Sequence, residues 1–335
     1  MSSSTPTSEL REALERLLPG ALGKPRRVIE VHRRQSPYRT SFGLEEVEVM
    51  LDEGEPLDLV LKDLAWHTLD AAGRRAKPEF LYDPLREIGV YRLLLAPAGL
   101  GTPRYYGSVV DAERDRYWLL VERVAGVELY QVGELERWER AARWLAVMHS
   151  RFAADVERLA EQARLVRHDR DYYRTWVDRA REFAGGSGAR ARERRGLDWL
   201  AARYDGVVEC LLALPTTVIH GEFYASNVLL ADGGRVAPVD WEVAAAGPGL
   251  VDVAALTTGW DAPERAALER AYEDELRASG APQVLPADPG EALDLCRLHL
   301  AVQWAGWAPP GWSPPAEHRR DWLGEALRLA EELRL

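Results

Sequence analysis

Between Arg27 and Leu64 apolar and polar residues alternate over short runs. RVIEVH, GLEEVEVML and LDLVLKDL each read as a strand, separated by the polar stretch RRQSPYRTSF and the turn DEGEP. Ahead of them, Ser4 to Leu18 has helical spacing and is predicted to end at Pro19-Gly20. In YDPLREIGVYRLLL the period lengthens to that of a helix. Asp83 is the expected cap, Pro84 the first helical residue, and Leu85, Ile88, Tyr91 and Leu95 share a face. PRYYGSVVD and RYWLLVERV return to strand character around the charged turn DAERDR. Beyond Gly126 the helical period dominates. ELERWERAARWLAVMHSRFA sets Trp138, Ala141, Leu145 and Met148 on one side, and helical segments continue to about Leu214, broken at FAGGSGARA. Strands first and helices afterwards predict an α+β protein of two lobes, 1–124 and 125–335, meeting near Val124 to Gly126.

One stretch resists this division. TTVIHGEFYASNVLL runs from an apolar, β-branched segment through His220, Glu222 and Asn227 into a second apolar segment. Polar groups are costly to bury without partners, so the cluster is either a well-capped turn or a site. The following ADGGR predicts a tight hairpin, because paired glycines supply the positive φ that such turns need. Centring the turn between Gly233 and Gly234 sets Asn227 opposite Asp240. An amide oxygen and a carboxylate brought together beside Glu222 suit a hard cation such as Mg²⁺. Taken singly, each of these residues also serves as an ordinary strand cap. Zinc chemistry does not fit the letters: His-x-Glu without a later Pro-Cys-x-x-Cys is not a deaminase, and His220 is followed by Gly221 instead of the Glu of a zinc protease. No P-loop is present.

Composition narrows the partners. The chain has 335 residues, 47% hydrophobic and 29% charged, which is ample for a large core. A formal net charge of −11 argues against general binding to nucleic-acid phosphates. Cys210 and Cys296, both in apolar helical settings, are expected to be buried free thiols. No run of 18 apolar residues occurs, and MSSSTPTSELREALERLL lacks the parts of a signal peptide. A cytoplasmic protein without membrane or nucleic-acid partners is expected, as a monomer or homodimer.

HGEFYASNVLL, VDWE and GPGLVDVA together resemble the signature of aminoglycoside phosphotransferase-like kinases: His-Gly-Asp, four residues, Asn, a hairpin, then Asp before an aromatic residue. That family includes antibiotic, choline and other small-molecule kinases with a two-lobed, protein-kinase-like fold. The resemblance implies a nucleotide-binding lobe over 1–124, a catalytic and substrate-binding lobe over 125–335, and ATP or GTP with Mg²⁺ as cofactors. It places Glu222 where the family has its catalytic aspartate, Asn227 and Asp240 at the metal ligands, Asp252 as a brace of the catalytic loop, and His220 as a further brace.

Such a kinase needs a strand lysine on the α/β-phosphates and a helix glutamate to hold it. The chain has three lysines; Lys24 and Lys77 precede prolines in polar loops, while Lys62 alone lies in an apolar strand. Glu87 of the following helix is its expected partner. Backbone groups from Glu122 to Val124 are expected at the adenine edge. RRQSPYRTSF has no glycine, so Ser36, Thr40 and Ser41, with Arg33, Arg34 and Arg39, are what it offers to phosphate. On the acceptor side, His299, Gln303, Trp304 and Trp307 share one helix, and Tyr172, Tyr173 and Trp176 form a second aromatic group. Such aromatics equally serve as core. Two readings follow: a small-molecule kinase phosphorylating a hydroxyl of a metabolite or antibiotic, or a pseudokinase-like nucleotide-binding regulator, for which Glu222 in place of aspartate and the glycine-free loop speak.

Overall fold

The computed structural model describes residues 6–38, 42–69, 73–74, 77–186, 191–307 and 319–335. Strands β1 (Val28–Gln35), β2 (Gly43–Leu51) and β3 (Leu57–Asp63) follow the alternating runs of the sequence. With β4 (Tyr105–Asp111) and β5 (Arg116–Glu122) they form an antiparallel sheet of order β1-β2-β3-β5-β4. One face, carrying Val47, Val49, Leu59, Leu61, Trp118 and Leu120, packs on Leu10, Leu14 and Leu18 of helix α1 (Thr7–Leu22). Because side chains alternate along a strand, Lys62 points to the other face, where the remainder of the molecule lies.

Two boundaries differ from expectation. Helix α1 begins after Pro6 and runs through Pro19 and Gly20 to Leu22. Pro19 sits in the last turns, where it forfeits one internal bond, and the left-handed Gly23 (φ 69°) is the real terminator. Strand β1 extends through Arg33 and Arg34, whose guanidinium groups pair with Glu45 and Glu46 of β2 at 2.7 Å each. Those two arginines thus pair across the sheet.

The helix after β3 is not regular. Asp83 Oδ1 accepts from the Leu85 amide (2.9 Å), α2 (Arg86–Gly89) follows, a π-helical turn spans Val90–Leu95, and α3 (Ala96–Ala98) stops at Gly99. Gly89 lets this helix approach helix α5 (Val156–Ala163): a Cβ there would meet Ala163 Cα at 3.1 Å.

The chain then crosses to the helical region through β6 (Gly126–Glu128). Helix α4 (Leu135–Phe152) buries Trp138, Ala141, Leu145 and Met148 as its period predicts. Helices α6 (Arg170–Gly186), α7 (Ala191–Ala201) and α8 (Tyr204–Leu212) lead to β8 (Thr216–Ile219). β9 (Val228–Ala231) and β10 (Arg235–Pro238) form a hairpin that adds to β6. A second small sheet joins β8, β11 (Ala245–Pro248) and β7 (Val166–Arg167). The sequence pattern missed β7 and β11, which are too short to show a period. Helices α9 (Leu250–Leu256), α10 (Ala262–Ala278), α11 (Pro289–Trp307) and α12 (Trp322–Glu332) complete the fold. Cys296 is buried as expected, but Cys210 is exposed, since Tyr204, Val207, Val208 and Leu211 take the inner face of α8. Among the described residues no helix is long and apolar enough to cross a membrane.

Candidate active site

The loop after β8 is shaped by one glycine and one buried carboxylate. Gly221 has φ 85°, and a Cβ there would fall 2.6 Å from the Val243 carbonyl oxygen, so no other residue fits. Asp252, fully buried in the first turn of α9, accepts from the His220 amide (2.6 Å) and the Gly221 amide (2.9 Å). Its Oδ2 also lies 3.3 Å from His149 Nε2, and His149 in turn meets Tyr272. His220 Nε2 lies 2.9 Å from the Val239 carbonyl oxygen, and Nδ1 lies 3.3 Å from the Glu222 amide. A carbonyl needs a donor and an amide an acceptor, so the ring is neutral with its proton on Nε2. Burial also holds its pKa below the usual histidine value. His220 therefore holds the loop, with both ring nitrogens engaged by the backbone.

The hairpin register differs from the predicted one by a residue. Its turn contains three residues, Asp232–Gly234, with positive φ at both glycines, and Ala231 pairs with Arg235. Asn227 consequently faces Val239, whose amide donates to its carbonyl (2.9 Å), and not Asp240. A slip of one residue normally sends a side chain to the wrong face. Here Asp240 adopts φ 66°, which re-aims its carboxylate. Such a backbone costs roughly 1–3 kcal/mol and persists where surrounding contacts over-determine it. Those contacts are visible: Asp240 Oδ1 lies 2.5 Å from Lys62 Nζ, and the next residue, Trp241, is fully buried with its amide donating to Glu87 Oε1 (3.2 Å).

Lys62, 4% exposed, meets both Asp240 and Glu87 (2.7 Å). Burial opposes its charge, but Asp240, then Glu87 and Glu242, hold the ammonium well above its usual pKa. Burial raises Glu87 against the pull of Lys62; Asp240, also buried, is held low by Lys62 and, more weakly, by Lys77 and His220. Helix α2 is fastened in place by Arg86, which donates to the carbonyls of Arg164, Leu81 and Glu242 at 2.8 Å each. Lys77 corrects a sequence expectation: it is not in a solvated loop but 5% exposed, with Nζ 2.8 Å from Glu242 Oε1. Lys62 and Lys77 both lie over the Phe42 ring, 5.6 and 4.9 Å from its centre. Four carboxyl groups (Glu87, Glu222, Asp240, Glu242) thus gather around two ammonium groups. Glu222 keeps some solvent contact, yet burial first, then the charges of Glu242 and Asp240, raise its pKa to about 8 against the opposing pull of Lys77 and Lys62. Lys77, Glu242 and Phe42 were not singled out from sequence; the scarcity of lysine was the signal available for the first.

Other expected contacts are placed differently. Ser36 is buried and its Oγ accepts from the Tyr38 amide (3.2 Å), so the hydroxyl serves its own turn. Arg39, Thr40 and Ser41 lie outside the described residues. Glu122 pairs with Arg235 (2.6 Å), and the amides of Glu122 and Arg123 donate to Arg104 and Asp58. Of the expected adenine-edge stretch, Val124 is where the chain has left these pairings. On the acceptor side Tyr173, Trp176 and His299 are fully buried and belong to the core, with Tyr173 and His299 rings 4.6 Å apart. Gln303 is buried too, and Trp307 stacks on Trp176 at 5.4 Å. Of this group, Trp304 reaches the loop after β8, donating to Tyr224 Oη at 2.6 Å. Phe80, 45% exposed, adds an edge contact to Tyr172 and Trp176; nothing in its sequence setting marks it.

Burial pushes the His299 pKa to about 3. The unfolded chain, with histidine near 6.5, then binds more protons than the fold between these values, so His299 makes stability fall as pH falls through that window. Between pH 7 and 5 the wild type should lose about 2 kcal/mol more than His299→Gln in urea titrations. Equal losses would show that His299 takes up its proton in the folded protein as readily as in water.

A model of the phosphotransferase enzyme family matches residues 48–286. No curated protein matches the chain by sequence. Among solved structures, choline kinase LicA from Streptococcus pneumoniae superposes with a TM-score of 0.57 at 14% identity, covering 97% of this chain and 99% of that one. An ethanolamine kinase of Plasmodium vivax gives 0.54 at 10% identity over 91% and 82% of the two chains. Macrolide 2′-phosphotransferase type I gives 0.53 at 17% identity over 98% of each. These likenesses show a shared kinase-like fold. The family match runs from strand β2 past helix α9 and contains Lys62, Glu87, Glu222, Asp240 and Asp252, and the chain belongs to the phosphotransferase enzyme family.

Proposed function

We propose that this enzyme moves the γ-phosphoryl group of ATP to a hydroxyl of a small molecule. The observation that carries the reading is the buried Lys62 held between Glu87 and Asp240, with Glu222 beside it. Residues 1–124 would hold the nucleotide and 125–335 the acceptor, with the polar groups of Val124 nearest the base. Lys62 donates to the α- and β-phosphates, and Glu87 keeps it aimed. Glu222 accepts a hydrogen bond from the acceptor hydroxyl. As the acceptor oxygen bonds to the γ-phosphorus, the bond to the β,γ-bridging oxygen breaks, the hydroxyl proton passes to Glu222, and ADP leaves.

The residues present fit a magnesium ion. Asn227 Nδ2 donates to the Glu222 carbonyl (3.0 Å), which turns the amide oxygen outward, and the surplus of carboxylates over ammonium groups favours a cation. Asn227 and Asp240 would hold it. Among the described residues no three His, Cys, Asp or Glu side chains are arranged to cage a metal alone, which suits an ion that keeps waters and shares phosphate oxygens. A bound Mg²⁺ supplies charge neutralisation across the phosphates.

The acceptor classes to screen follow from the structural relatives and the sequence resemblance: amino alcohols, macrolides and aminoglycosides, followed by nucleosides and glycosylated natural products. The alternative, a regulator that binds nucleotide without turnover, is favoured by Glu222 in place of aspartate; the intact Lys62, Glu87 and Asp240 set speaks against it. Calorimetry with wild type and Asp240→Asn, each with and without Mg²⁺, tests the reading. The wild type should bind ATP more tightly with Mg²⁺, and Asp240→Asn should lose that gain. Equal affinity in all four experiments would overturn it.

A further inference from the structure

The geometry points to Lys77, paired with Glu242 in this structure, as a second phosphate-contacting cation that donates to the γ-phosphoryl oxygens when nucleotide is bound. This rests on the nucleotide-dependent transfer proposed above and assigns a residue to it that the family signature does not contain.

Three observations lead there. Lys77 and Glu242 form an ion pair with side chains only 2% and 8% exposed. A pair whose sole task was to pin a loop would be replaced by apolar residues at little or no loss, since desolvation offsets most of its attraction. Second, the pairing is incomplete: Glu242 Oε2 is buried and finds no hydrogen-bond partner among the described residues. A closed structural network satisfies both oxygens. Third, the two lysines divide the site between them. Asp240 and Glu242 are two residues apart in one segment, one facing Lys62 and the other Lys77, and both ammonium groups lie over the Phe42 ring. Lys77, like Lys62, also lies near enough to Glu222, where the acceptor hydroxyl would stand, to act on its charge.

The chemistry calls for a cation in that place. A γ-phosphoryl group approaching Glu222 brings negative charge against Glu222 and Glu242, and in the transition state charge spreads over its three equatorial oxygens. Lys62, on the α- and β-phosphates, does not serve that end. Lysine suits the task, having a flexible stem and three rotatable donors that can exchange one partner for another. The ammonium keeps its protons throughout, and the bonds made and broken are those already described. Only three lysines stand among 43 lysine and arginine residues, and two of the three lie over the same Phe42 ring.

The test compares Mg·ATP with Mg·ADP by calorimetry for wild type, Lys77→Met, Lys77→Arg and the double variant Lys77→Met with Glu242→Gln. Lys77→Met should weaken ATP about tenfold or more, the usual worth of a hydrogen bond to a charged group, and leave ADP unchanged. Lys77→Arg should keep part of the preference. The double variant, which leaves no buried carboxylate unpaired, should show the same loss of discrimination and covers the case in which Lys77→Met does not fold. With an acceptor in hand, kcat should fall roughly 10²–10³-fold, as when an oxyanion donor is removed. An unchanged ATP-to-ADP ratio, or ATP and ADP lost together in every Lys77 variant, would assign the pair to structure and overturn the proposal. A wild type that binds ADP and ATP as proposed, beside such variants, would leave the kinase reading standing. A wild type that binds no Mg·ATP overturns both.

Discussion

Glu222→Gln should lower phosphoryl transfer roughly 10²–10⁴-fold, the range for a positioned acid–base group, while Mg·ATP affinity is kept. The expectation follows from what the side chain touches. Its backbone is fixed on three sides: the amide faces His220 Nδ1, and the carbonyl accepts from the Tyr224 amide (2.7 Å) and Asn227 Nδ2. Its carboxyl group makes no hydrogen bond among the described residues and is free to meet an acceptor hydroxyl. Glutamine preserves size and the backbone bonds but removes the group that takes the proton. Glu222→Asp probes the fit of the loop, because Gly221 pressed against Val243 leaves the backbone no room to advance. With one methylene fewer, the carboxylate should fall short, and kcat should drop while KM for ATP stays. Single-turnover measurement of phosphorylated product, with ATP affinity taken separately, checks both variants. An unchanged rate in Glu222→Gln would remove Glu222 from the reaction.

Lys62→Met should be the most damaging single change to the fold as well as to nucleotide binding. Removing one partner from a buried ion pair typically costs about 3–5 kcal/mol, because the opposite charge is left without compensation. Here two carboxylates, Glu87 and Asp240, lose the same ammonium, and Asp240 also loses the contact that holds its left-handed backbone. Urea unfolding should show a loss in this range, and ATP binding should fall with it. Adding Glu87→Gln should recover part of the stability but none of the binding. Recovery of both would mean that Lys62 only neutralises Glu87 and does not reach the nucleotide.

Much of this architecture was legible because the patterns involved are local. Alternation located β1, β2 and β3, and a helical face in α4 was visible in Trp138, Ala141, Leu145 and Met148. The spacing from His220 through Asn227 to Asp240 and Asp252 marked the candidate site, and the rarity of lysine marked Lys62. Helix α1 was misjudged at its end, because Pro19 signals a stop only when packing does not carry the helix past it.

What the sequence determined by itself, then, was the succession of elements and the identity of Lys62, Glu87, Glu222, Asp240 and Asp252 as residues to watch. Tertiary structure alone decided how they meet. The hairpin register slipped by one, and Asp240 reached Lys62 through a positive φ that no local pattern announces. Lys77 looked like a loop residue beside a proline until packing buried it on Glu242, 165 positions away by number. Tyr173, Trp176 and His299 could be read as pocket or, more readily, as core until helices α6 and α11 enclosed them. The reason is common to all three: periodicity records which face a residue takes within its own element, whereas ion pairs, strained turns and buried rings depend on which distant elements come to lie against that face.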